Sequence, residues 1–301
     1  MITNYLIPPH LALSSFVVNY VLSTSENETV TFSGNWPASN ETSLIFHLHD
    51  HPSSHLYKHG NADFAHKRNC IVGVLTESNG IIYFNGKYHT FMIQFKANGF
   101  HKIFGIPSPE VTNKIFCSGD VFGNIAHSLY EQLLHATSVQ EMAVFADAFL
   151  ITFLNRQKSV YTFDGITAVT KDLIHACHVS STRQYAYKAN MSVRNFERKF
   201  MEQVGVSPKL YSKLLRFNEA MMMKSMHPRK SWTSIAHECN YYDQMHLIKD
   251  FKQFSGYTPT DFFKENKASN NPDTNSPVVD FAKPNNNLLQ EKFVYIKRAS
   301  F

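Results

Sequence analysis

The sequence contains no Cys-x-x-Cys pair; its four cysteines, Cys70, Cys117, Cys177 and Cys239, stand far apart. That spacing excludes a dithiol redox motif and half of a zinc site, and it fits a reducing cytoplasm. Also missing is any stretch of the ~18 apolar residues that a membrane-spanning helix requires. The opening segment, "MITNYLIPPHLALSSF", lacks the basic start and unbroken apolar run of a secretion signal. A soluble, unexported protein of the cytoplasm, with no membrane association, is expected. What the chain does have is apolar material: 43% of its 301 residues are hydrophobic and 14% aromatic, enough to bury two cores rather than remain disordered.

Charge is unevenly distributed. Residues 1–165 hold 9 Lys and Arg against 12 Asp and Glu, whereas residues 166–266 hold 15 against 9, and residues 267–301 hold 5 against 3. The middle segment is therefore the basic one, as expected of a module that meets a polyanion.

The periodicity also divides the chain, which reads as α+β. In the first part "LIFHLH" (44–49) alternates, and "IIYFNGKYHTFMIQF" (81–95) sets Asn85-Gly86, the preferred residues of a tight hairpin turn, between two β-prone runs. An antiparallel sheet or barrel, cupin-like in outline, is predicted. From about residue 122 the spacing becomes helical, with Ile125, Leu129 and Leu133, then a capping-box pattern at Ser138–Glu141 before "MAVFADAFLITFL". Two helices should close this domain, 1–155. A polar linker over 156–165 follows. Residues 166–266 read as helices throughout, with starts marked by Ser181–Gln184, Ser207-Pro208 and Thr258-Pro259, and with Pro228 ending a long helix over 209–226. Residues 267–301, rich in Asn and Pro, read as a mostly disordered tail in which "LLQEKFVYI" (288–296) has the composition to dock.

Within the helical region a pattern occurs twice. Ala186 and Asn190 correspond to Ala236 and Asn240 at an offset of 50, and Phe196, Arg198, Phe200, Gly205 and Pro208 correspond to Leu247, Lys249, Phe251, Gly256 and Pro259 at an offset of 51. Each copy reads as a short helix, a tight turn at Asn, and a longer helix with its apolar stripe inward. The second copy carries one extra residue in the turn. Two helix-turn-helix units follow. An α-helix fits the DNA major groove, where exposed side chains near its N-terminus meet base edges. In the first copy Arg194, Glu197 and Arg198 hold those positions, with Lys199 placed for phosphate; Arg suits guanine and Glu suits cytosine. In the second, the candidates are Gln244, Met245, His246 and Lys249, with Gln suited to adenine and Met to the thymine methyl.

"MSVRNFERKF" with "GVSPKLYSKLLRFNEAM", followed by "SIAHECNYYDQMHLIKDFKQFSGYTPTDFF", resembles the AraC/XylS family of bacterial transcription regulators. The resemblance covers about a third of the chain. It implies two helix-turn-helix units joined by a rigid helix, with both recognition helices in successive major grooves and base contacts at Arg194, Glu197, Arg198, Gln244, Met245, His246 and Lys249. It further implies operator DNA and RNA polymerase as partners, activation or repression as the outcome, and no catalysis or cofactor. The chain departs from the family where glycine usually precedes each recognition helix, having Asn190 and Asn240, which tolerate the same left-handed backbone. The first part, through "PPHLALSSFVVNY", is similar to the β-rich sensing domains of such regulators. That implies control by a small-molecule or protein effector and is compatible with a homodimer.

One segment supports an alternative. "HLHDHPSSHLYKHG" (47–60) would set His47, His49 and His51 on one strand face, and neutral imidazoles bind transition metals. A metal-binding cupin-like enzyme with a DNA-binding appendage is the resulting alternative. The simplest strand, however, buries Leu44, Phe46 and Leu48 and leaves the histidines at the surface, with no acidic residue at a helpful spacing, so no metal site is assigned. A third reading makes 166–266 a protein-interaction bundle.

Overall fold

A computed structural model describes residues 2–25, 29–50, 54–56, 68–157, 165–176, 181–268 and 292–295. The first part is built from strands β1 (Ile2–Ile7), β2 (Val17–Ser25), β3 (Val30–Asn35), β4 (Ser43–His47), β5 (Ser54–Leu56), β6 (Asn69–Val72), β7 (Ile81–Gly86), β8 (His89–Phe95) and β9 (Ile115–Cys117). One sheet runs β1-β2-β8-β4-β6-β9, and a second, smaller one runs β3-β7-β5, with neighbours antiparallel in both. From the far end of the chain, β10 (Lys292–Tyr295) joins the outer edge of β1 in parallel, with Phe293 opposite Asn4. This is where part of "LLQEKFVYI" docks. Helices α1 (Gly99–Phe104), α2 (Ser118–Phe122), α3 (Asn124–His135) and α4 (Val139–Leu154) complete this region.

The large sheet is covered on both faces. Leu44, Phe46, Phe91 and Ile93 point toward α3 and α4, meeting Leu129, Leu133, Phe149 and Leu150. Ile45 and Met92 point the other way, toward Trp36, Ile82 and Phe84 against the small sheet. Residues that alternate along a strand therefore fall into two separate cores. Two sequence expectations are corrected by this arrangement. The Asn85-Gly86 pair does not close a hairpin between β7 and β8, because β7 pairs with β3 and β5 while β8 pairs with β2 and β4. The chain turns a corner from one sheet to the other, and Asp50 caps it by accepting a hydrogen bond from the Lys87 N–H at 2.7 Å. His47 is not at the surface either; β4 lies centrally between β6 and β8, and the residue is only 3% exposed. In α3 the buried stripe is Ala126, Leu129, Tyr130 and Leu133, and Ile125 lies outside it.

The helical part comprises α5 (Gly165–Ala176), α6 (Thr182–Lys188), α7 (Val193–Val204), α8 (Pro208–Met226), α9 (Trp232–Glu238), α10 (Gln244–Ser255) and α11 (Pro259–Ala268). Phe196, Phe200, Leu247 and Phe251, the stripes of the two copies, are buried with Leu214 and Phe217 of α8 in one core that also takes Ala38 and Val74 from the β region. Most of the expected linker and tail lies outside the described residues. Polar contacts join the two parts: Asn98 Nδ2 donates to Gln203 Oε1 at 3.0 Å, Ser108 Oγ donates to the Gln203 carbonyl at 2.6 Å, and the Ala38 N–H donates to the Phe254 carbonyl at 2.8 Å. Gln203 belongs to α7 and Phe254 to α10, so the β region touches both helical units. No helix among the described residues is long and apolar enough to cross a membrane.

Candidate nucleic-acid interface

Each unit is built by the same local chemistry. In the first, Ser181 and Gln184 form a full capping box that starts α6. The chain then turns at Asn190, whose φ of 55° is the left-handed conformation that Asn tolerates, and the Met191 N–H closes the turn on the Ala186 carbonyl at 2.9 Å. Ser192 caps α7 by accepting from the Asn195 N–H, and Gly205 ends it with φ 91°. In the second unit, Ser231 caps α9, Asn240 turns with φ 56°, and the Tyr241 N–H closes on the Ala236 carbonyl at 2.9 Å. The additional turn residue moves the cap to Asp243, which accepts from the His246 N–H at 2.7 Å. Gly256 ends α10 with φ 83°.

The candidate contact residues fall on the outward faces of α7 and α10. Arg194, Glu197 and Arg198 are exposed and Lys199 is half-buried; Met245, His246 and Lys249 are exposed and Gln244 is partly so. Arg198 reaches Asn195 Oδ1 at 3.1 Å and Glu202 at 3.4 Å, an exposed pair that water and salt weaken. Gln244 Oε1 accepts from Thr233 Oγ1 at 2.7 Å, tying the start of α10 to α9. Arg194, Glu197, Lys199 and Lys249 have no hydrogen bond or ion pair among the described residues. Both faces thus combine charge, donors and free side chains, with Met245, 69% exposed, offering an apolar tip beside them.

Sequence reasoning missed two groups. Tyr187 at the end of α6 and Tyr242 in the turn before α10 are almost fully exposed, a feature that side-chain period alone does not show. The other group is on α8. Lys213 pairs with Asp250 of α10 at 2.7 Å, while Arg216 reaches the same carboxylate at 3.8 Å, donates to the Asn240 carbonyl at 3.2 Å and lies over the Tyr241 ring at 4.8 Å. Arg216 therefore fixes the turn of the second unit from the connecting helix. The burial of Tyr241, together with the Asp250 charge, pushes its phenol well above the usual range and keeps it neutral. The spacing of Lys209, Lys213 and Arg216 (i, i+4, i+7) was the available signal.

Among the described residues of the histidine segment, His47 and His49 do not share one strand face. His47 Nδ1 sits 3.2 Å from Thr90 Oγ1 inside the sheet, His49 pairs with Asp50 at 3.3 Å beyond the end of β4, and His51 lies outside the described residues. No group of three metal-ligating side chains gathers among the described residues.

Residues 185–265 match a family model described as a helix-turn-helix domain, a span that begins in α6 and ends in α11. This is an AraC-type helix-turn-helix domain. Ahead of it, residues 5–116 match a model described as a domain of unknown function (DUF6597). No curated protein matches the chain. Among solved structures, ToxT from Vibrio cholerae aligns at 9% identity over 81% of this chain and 97% of its own, with a TM-score of 0.44. The DNA-binding domain of AdpA, a global transcriptional factor solved in complex with a target DNA, aligns at 22% identity over 36% of this chain and 97% of its own, with a TM-score of 0.33. A DNA-binding transcriptional dual regulator from Escherichia coli aligns at 21% identity over 36% and 96%, with a TM-score of 0.31.

Proposed function

We propose that the protein is a sequence-specific, DNA-binding transcription regulator that sets α7 and α10 into successive major grooves of one duplex. Arg194, Glu197 and Arg198 read bases from α7, with Lys199 on phosphate; Gln244, Met245, His246 and Lys249 read a different sequence from α10. The observation that carries this reading is the AraC-type domain itself, two units of one plan, each leaving charged and donor side chains without tight partners at the outward start of its second helix. The β region acts on these units through its contacts with Gln203 and Phe254, the route by which an effector would change DNA affinity. RNA polymerase is the partner through which bound protein changes transcription, in the cytoplasm.

The test is selection of bound sequences from a random duplex pool by the full-length protein, followed by affinity measured against salt. The expected result is a bipartite site whose halves lie about one helical turn apart, roughly 34 Å, with log affinity falling linearly against log salt through counterion release. Failure to enrich any sequence, or an affinity indifferent to salt, overturns the reading.

A further inference from the structure

Lys209, Lys213 and Arg216 occupy one face of α8, away from the core face of Leu214, Phe217 and Met221. With Thr182 and Tyr185 of α6, and with Pro208 and Ser212, they line an open pocket of about 130 Å³. Its charge is not balanced from within. Lys213 and Arg216 share the single carboxylate of Asp250, while Lys209 has no hydrogen bond or ion pair among the described residues. Three cations against one carboxylate leave a net positive site.

Two of the lining residues carry buried donors that are unused. Ser212 is 3% exposed, and its Oγ has no hydrogen-bond partner; Arg216 Nε is buried and likewise unpartnered. A buried hydroxyl and guanidinium N–H are ordinarily satisfied, so a pair of open donors beside a free ammonium marks a seat for an acceptor. An acceptor with several oxygens and a negative charge, a phosphate group, satisfies all three at once.

Position identifies the source of that phosphate. One wall of the pocket is the first turn of α6, the helix that opens the first unit; Arg216, in the other wall, holds the turn of the second unit through the Asn240 carbonyl. The pocket therefore lies between α6 and the connecting helix, with Arg216 reaching on to the second unit, and with α7 and α10 in successive major grooves the phosphate source it would meet is the sugar-phosphate backbone bordering the intervening minor groove. We propose that Lys209, Ser212 and Arg216 seat one backbone phosphodiester of the bound duplex between the two half-sites, fixing register without reading a base. The proposal rests on the reading of the two units as recognition units on one duplex.

The test uses the full-length protein and a duplex recovered by selection, in which a single uncharged methylphosphonate linkage is moved stepwise through the segment between the half-sites. Wild-type affinity should drop at one linkage position and not at its neighbours. Lys209→Gln should weaken binding to all sequences alike, with base preference unchanged and the salt slope smaller by about 1. Both Lys209→Gln and Ser212→Ala should lose the sensitivity to that linkage, while their unfolding midpoints stay at or above wild type. Retained binding with no response to any linkage overturns the phosphate seat and leaves the function standing; failure to bind any duplex overturns both. Should the linkages have no effect while inorganic phosphate raises the unfolding temperature of wild type but not of Lys209→Gln, the pocket takes a free phosphate-bearing molecule, and the backbone assignment is overturned.

Discussion

Lys213 Nζ of the connecting helix lies 2.7 Å from Oδ1 of Asp250 in the second recognition helix, and the carboxylate is only 1% exposed. The pair ties α8 to α10. Removing one partner of a buried pair costs about 3–5 kcal/mol because the other charge is left uncompensated. Lys213 and Arg216 keep 27% and 15% of their side-chain surface in solvent and recover part of that loss. Asp250→Ala should therefore fall at the low end, a loss of about 3 kcal/mol, read as a lowered urea midpoint at unchanged slope. An unchanged midpoint would show that the pair contributes nothing to stability.

The contrast between this pair and the recognition stripes shows what was legible in sequence. Phe196 with Phe200, and Leu247 with Phe251, are spaced by the helical period, so their burial followed from local order alone. The turns at Asn190 and Asn240 were equally local, since the left-handed backbone is a property of one residue. Asp250 and Lys213 are 37 positions apart, and no local pattern brings them together. The Asn85-Gly86 signal failed for the same reason: it describes the chemistry of a turn, while the pairing of β7 with β3 depends on which sheet has room. His47 misled because alternation assigns a residue to a face, and only the packing of the small sheet and of α3 and α4 shows that both faces of β4 are covered.

Gly205 and Gly256 end the two recognition helices with similar positive φ, 91° and 83°, but in different surroundings. A side chain at Gly256 would meet only Ser78 at 3.8 Å, so Gly256→Ala should cost about 1 kcal/mol for the left-handed backbone alone. At Gly205 a Cβ would lie 2.2 Å from Thr112 Oγ1, in the contact between the helical unit and the β region. Gly205→Ala should cost roughly 2 kcal/mol or more, adding overpacking to the backbone term. Thermal unfolding of both variants should show the larger drop for Gly205→Ala. Equal drops would mean that the interface yields without resistance.

Arg198 and Lys199 are neighbours that face different tasks under the proposed function. Arg198 is exposed and carries the planar fork that pairs with guanine, whereas Lys199 is half-buried and placed for the backbone. Arg198→Ala should lose about 1–3 kcal/mol of binding and relax preference at one base position. Lys199→Ala should weaken all sequences similarly and lower the salt slope by about 1. Competition binding with variants of the selected site separates the two outcomes. An unaltered base preference in the Arg198 variant would remove that residue from the reading set.

The connector also sets how far apart the half-sites can be. α8 runs without interruption from Pro208 to Met226, 19 residues, a rod of about 28 Å at 1.5 Å per residue. Its ends are fixed by the Ser207 cap, which accepts from the Leu210 N–H, on one side and the turn at His227-Pro228 on the other. The β region restrains both units further, through Gln203 in α7 and Phe254 in α10. Under the proposed function, two recognition helices held this way meet one face of the duplex about one turn apart, roughly 34 Å. Inserting about 5 base pairs between the half-sites turns one of them to the opposite face and should reduce affinity to that of a single unit. Inserting about 10 base pairs restores the face but adds another turn of length that a rigid rod cannot span, so affinity should stay low. Gel-shift titration of the three duplexes at one salt concentration distinguishes the cases. Recovery at the 10-base-pair insertion alone would point to a connector that extends, and full affinity for both insertions would mean that only one unit engages the DNA.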